Sequence, residues 1–101
     1  MKERLINALV DVVNLLAVCG LPSRADWFRL RLEIIRAGTT NHDVFESTVR
    51  EIRDILAGMG AFTDLPLVPD QGSGLTEDVV RRRQWELADE LDEVTAALIT
   101  K

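Results

Sequence analysis

Between Leu5 and Ala17 the only polar side chains are Asn7, Asp11 and Asn14. Steps of four and three residues put these on one narrow stripe of a helix, continued by Val18, and leave the rest of the circumference apolar. A helix of this kind is stable only with neighbours on more than one side. That requirement excludes extended or isolated helices and points to a bundle. Leu5, Leu9, Val12, Val13 and Leu16 form the main apolar row, which Ile6, Val10 and Ala17 widen. The helix is expected over about residues 2–19, at the centre of the fold, with Gly20 as its stop and Pro22 preventing continuation. The polar interruptions also argue against a bilayer span, which needs about 20 apolar residues. They argue equally against a signal peptide, so a cytoplasmic protein is expected.

Three further helices follow from capping and spacing. The second is expected over about 24–37, with Ser23 as N-cap and Asp26 in a capping-box-like position. Trp27, Leu30 and Ile34 share its apolar face, with Phe28, Arg31 and Ile35 beside it, and Arg29, Glu33 and Arg36 face solvent. Gly38 is its natural stop. The third is expected over about 42–57, capped by Asn41, with Phe45, Val49, Ile52, Leu56 and Met59 spaced for one buried face. The fourth is expected over about 77–100, capped by Thr76. Its core row is Val80, Leu87, Leu91, Val94 and Leu98, flanked by Ala88 and Thr95, and Leu75 and Val80 are placed for a hydrophobic staple.

These 101 residues fit one domain, read as an all-α bundle of about four helices spanning 1–101. Hydrophobic residues make up 47% and charged residues 29%, which excludes disorder. Aromatics are confined to Trp27, Phe28, Phe45, Phe62 and Trp85, so aliphatic side chains must supply most of the core. Cys19 is the single cysteine; it has no internal disulfide partner and reads as a small buried hydrophobe rather than a nucleophile.

The connection before the fourth helix is unusual. Pro66 and Pro69 forbid a helix, yet Phe62, Leu65, Leu67 and Val68 are apolar. A solvated linker would not carry four such residues, so this segment is expected to pack on the bundle along an extended path. Asp70 to Gly74 reads as an exposed turn.

Charge carries most of the functional signal. The net charge of −5 disfavours a nucleic-acid backbone or an anionic membrane surface as partner, and a basic protein is the natural complement. Glu86, Asp89, Glu90, Asp92 and Glu93 place five acids within eight residues of the fourth helix. Glu86–Glu90 and Asp89–Glu93 are like-charge i, i+4 pairs, and Arg81, Arg82 and Arg83 lie towards the N-terminal end, against the helix dipole. Local stability does not explain this layout. Either Glu86, Asp89, Glu90 and Glu93 face a basic partner, with Trp85 as an aromatic anchor, or the acids meet arginines such as Arg24, Arg29, Arg31 or Arg36 within the fold or simply face water. Trp85 is offset from the core row and is expected to be partly buried.

Enzymatic signals are weak. The acids lack the glycine-bearing loop of a calcium site and the Glu-x-x-His pattern of di-iron bundles, so no metal or cofactor is expected. His42, the only histidine, sits where a helix dipole disfavours its charged form. Gly58-Met59-Gly60 is not a phosphate loop, since no strand precedes it and no Lys-Ser/Thr follows.

The stretch Gly58-Met59-Gly60-Ala61-Phe62-Thr63-Asp64-Leu65, after a Trp27-bearing helix ending Arg36-Ala37-Gly38, resembles a family of small bacterial proteins of unknown function. Those carry Gly-Met-Gly-Ser-Phe-Asn-Asp-Leu before a final helix. Ala61 and Thr63 replace the Ser and Asn of that pattern. The resemblance covers roughly residues 24–98 in layout and implies a structural loop built on Gly58, Gly60, Phe62 and Asp64. The small single-domain form is similar by analogy to toxin-neutralising immunity proteins. The expected function is therefore a non-enzymatic protein-binding domain, with an immunity-type inhibitor as its sharpest form. A structural or regulatory homo-oligomer, such as a homodimer using Phe62–Val68 or Trp85, and a small enzyme using His42 or the carboxylates are the alternatives.

Overall fold

The computed structural model describes residues 2–37, 42–56, 62 and 65–99. Gly38, Asn41, Gly58, Met59, Gly60 and Asp64, which carry the expected glycine loop, the stop of the second helix and the cap of the third, lie outside the described residues.

Four helices follow in order: α1 (Lys2–Val18), α2 (Pro22–Ala37), α3 (His42–Leu56) and α4 (Glu77–Ile99). No strand occurs among the described residues. The 23 residues of α4 rise about 35 Å and span most of the 41 Å long axis. Among the described residues α1 packs on α2 and α4, and α3 packs on α4 and more lightly on α2. The helices thus form a four-cornered bundle with α1 and α3 across one diagonal. The expectation of a central helix is corrected accordingly: α1 has neighbours on two sides but occupies a corner, and Ala17, counted with its apolar face, is exposed. Its main row, Leu5, Leu9, Val12, Val13 and Leu16, is buried throughout.

The turn from α1 to α2 shows why the chain reverses there. Leu21 N donates to Leu16 O at 3.0 Å and Gly20 N to Ala17 O at 3.1 Å, the two bonds of a Schellman motif, with Gly20 at φ 71°. A side chain there meets both a left-handed backbone and Asp70 Oδ1, 3.2 Å from the position of a Cβ. Gly20→Ala is expected to cost about 1–2 kcal/mol, read as a lower urea midpoint with an unchanged slope. Pro22 is the first residue of α2, where its missing N–H was unsatisfied in any case. The helix therefore starts earlier than expected, Leu21 O accepts its first bond from Ala25 N at 3.0 Å, and Ser23 is not the cap.

The buried face of α2 also differs. Ala25, Phe28, Leu32 and Ile35 point into the core, Trp27 is half-buried, and Leu30 is 58% exposed. The helix carries two adjacent apolar rows, and the one containing Phe28 is buried by packing on α1, with Phe28 also meeting Phe62 edge-on at 5.8 Å. In α3, Val49 and Ile52 are buried as expected; Phe45 and Leu56 are only half-buried, and Thr48 takes a core position by donating to Val44 O at 2.8 Å. In α4, Thr76 caps as expected, its Oγ1 accepting from Val79 N at 3.2 Å. Val80, Leu87, Leu91 and Val94 are buried.

Candidate functional site

The connection and α4 are joined by a residue that hydropathy patterning passes over. Gln84 is buried and lies on the same helix face as Val80, Leu87 and Ala88. Its Nε2 donates to Phe62 O at 2.8 Å and to Leu65 O at 3.0 Å. Both partners are acceptors, so the amide nitrogen must face them. These bonds hold the connection to the helix, with Phe62 and Leu67 buried and Leu65 half-buried. The segment is not apolar contact throughout, however. Residues 66–70 have no regular structure, and Val68 is 55% exposed. Further along, Asp70 N donates to Val18 O at 2.9 Å and covers a carbonyl left open at the end of α1.

Beside Gln84, Trp85 is 54% exposed, more than the partial burial expected of it. The offset from the core row, visible in the spacing, directs the indole away from the bundle. Trp85, Pro66, Leu67 and Val68 border a shallow depression of about 250 Å³, with Glu77 and Arg81 on its rim. An apolar ring and an exposed valine thus stand together on two segments fixed by Gln84.

The acids of α4 divide. Arg4 on α1 takes Glu90 with two bonds, Nε–Oε2 at 3.1 Å and Nη2–Oε1 at 2.6 Å, and approaches Glu93 at 3.5 Å. Arg53 on α3 pairs with Asp92 at 3.5 Å and donates to Asp92 O at 3.1 Å and Thr95 Oγ1 at 3.0 Å. Arg83 reaches Asp11 at 2.8 Å. Much of the charge pattern on α4 is therefore answered by α1 and α3. Of the four arginines named from sequence as internal partners, three are engaged elsewhere, Arg29 with Asp26, Arg31 with Glu51 and Arg36 with Glu33, and Arg24 meets none of the acids of α4 among the described residues. Among the described residues Glu86 and Asp89 have no ion-pair partner.

The hydrogen bonds from Arg4 hold the Glu90 carboxyl below its ordinary value of 4.5. A lowered folded value means that the pair stabilises the fold above that pH and stops doing so as the pH falls through the folded value. Glu90→Gln is therefore expected to lower the melting temperature near neutrality and to match the parent chain in acid. A constant difference across the titration would remove the pair from the account.

His42 is exposed and lies 3.5 Å from Glu46. Cys19 is buried, and that burial, with the Asp70 charge, pushes its thiol up, away from the thiolate. Among the described residues no group of three or more His, Cys, Asp or Glu side chains could hold a metal. No described helix is long and apolar enough to cross a membrane.

A second concavity lies on the other side of the connection. Trp27, Phe28, Ile55, Phe62 and Leu65 enclose about 240 Å³, with Ser23 and Arg24 at the edge. The guanidinium of Arg31 sits 4.0 Å above the Trp27 ring while its Nη2 reaches Glu51 at 2.7 Å, so the indole wall is held between α2 and α3. This site was not legible as a motif.

No protein-family model, curated protein or solved structure matches this chain.

Proposed function

We propose that this chain is a non-enzymatic protein-binding domain that docks its partner on the outer face of α4 and the adjoining connection. The observation that carries this reading is Trp85, 54% exposed on a regular helix and paired with Val68, 55% exposed on a segment tied down by Gln84. Trp is favoured at binding hot spots because a rigid amphipathic ring fills a partner pocket with little loss of entropy. Glu86 and Asp89, without partners among the described residues, flank Trp85 and suit basic groups at the edge of the contact. The broader form of the reading, an immunity-type inhibitor using the whole acidic stripe, has less support, because Glu90, Asp92 and Glu93 already face Arg4 and Arg53.

Cross-linking in cells with a photoreactive residue at position 85, compared with position 33 on the solvent face of α2, tests this. The expected result is a discrete adduct with a basic protein from position 85 alone, lost when Asp89 is changed to Lys. Equal adducts from both positions would overturn the reading. An adduct of the chain with itself would favour the homo-oligomer.

A further inference from the structure

We propose that the cavity between α2, the end of α3 and the connection is a binding site for a small aromatic carboxylate, seated with its ring inside and its carboxylate on Arg24. This goes beyond the docking role of α4 and uses different residues.

The argument begins with size and polarity. The 240 Å³ space is walled by Trp27, Phe28, Ile55, Phe62 and Leu65. An apolar cavity of about 150 Å³ stays dry and takes up benzene, whereas drug-sized ligands occupy about 300–1,000 Å³. The space here falls between, enough for one ring with a short side chain. Its walls are set in advance: Phe62 is fully buried against Phe28, and Trp27 is held beneath Arg31. A preformed apolar site avoids the ordering cost that weakens binding to a mobile one.

Charge then selects the ligand. In a chain of net charge −5, the one charged side chain among the described residues that line this cavity is a cation, Arg24. Arg24 is exposed and has no ion-pair or hydrogen-bond partner among the described residues, and its planar fork of donors matches a carboxylate. Ser23 beside it contributes a hydroxyl. Both residues stand in the first turn of α2, where backbone N–H groups add a further bias towards an anion. A neutral ring would gain only the burial, and a cationic amphiphile would meet Arg24.

Phenylacetate, with benzyl alcohol as a neutral probe of similar size, tests this by ¹H–¹⁵N NMR titration of the whole chain. Saturable shifts centred on Trp27, Phe28 and Ile55, with phenylacetate bound more tightly than benzyl alcohol, are expected. Arg24→Ala is expected to weaken phenylacetate about five- to ten-fold while leaving benzyl alcohol unchanged, which also shows that the variant is folded. Two results would overturn the proposal: no saturable shift at those residues with either probe, or equal affinity for phenylacetate with and without Arg24. Trp85→Ala is expected to leave the titration intact, so failure of the α4 docking surface and failure of this site are read separately.

Discussion

Changing Gln84 to Glu is expected to destabilise the fold by about 3–5 kcal/mol near neutral pH, the usual result of leaving a charge buried without a partner. Gln84 is 3% exposed, and the groups in front of it are the carbonyl oxygens of Phe62 and Leu65. A carboxylate there loses both hydrogen bonds and turns negative oxygen towards negative oxygen. Burial and the facing carbonyls both raise the folded carboxyl value above the ordinary glutamate value. For an acid whose value is raised on folding, the native state binds the extra proton, so stability falls as the pH rises from the unfolded to the folded value. The variant should therefore recover part of its loss in acid, where a protonated Glu can still donate one bond. Gln84→Leu provides the contrast. It leaves Leu65 O without its donor and Phe62 O with only the Leu65 N–H at 3.3 Å, for about 1–3 kcal/mol, with no dependence on pH beyond that of the parent chain. Urea unfolding of the three chains near neutrality and in mild acid checks this. Equal losses for Glu at both conditions would place the side chain in water.

Gln84 also shows where sequence reading stops. It lies four residues after Val80 and three before Leu87, on the core row itself, and that position was the one signal available. Polarity alone assigns it to solvent, because its acceptors belong to a segment about twenty residues away with no periodicity. The buried row of α1 was legible since a single stripe left no alternative face. The row of α2 was not, since two apolar rows lie side by side and the choice between them is made outside the helix, by α1 and by Phe62. The acids of α4 follow the same rule. Their clustering was visible, but their partners are Arg4 and Arg53, on α1 and α3, rather than the arginines of α2. Which helices stand beside α4 is a property of the closed bundle, and no pattern within α4 carries it. The exposure of Trp85 was only half legible: its offset from the core row was visible, its extent was not.

Phe62→Ala is expected to be the most damaging truncation in the connection, at about 3–5 kcal/mol. Domains of this size are stable by only about 5–15 kcal/mol, so the loss is a large part of the whole. Phe62 is fully buried and closes the core against Phe28, and its removal opens a void that the neighbouring backbone, held by Gln84, cannot readily fill. Val68→Ala, six residues further along the same connection, is expected to change stability by less than about 0.5 kcal/mol, because that side chain is 55% exposed. The contrast separates a connection docked at one end from one that clings along its length. If both truncations cost the same, the segment is not seated as described and the Gln84 bonds do not form. Combining Phe62→Ala with Gln84→Leu sharpens the test. The ring and the amide fix the same few residues, so releasing the segment by either route removes much of what the other contributes. The double variant is then expected to lose less than the sum of the single losses. Strict additivity would mean that the ring and the amide act on separate parts of the fold, and that the surface formed by Val68 and Trp85 is not held in place by Gln84.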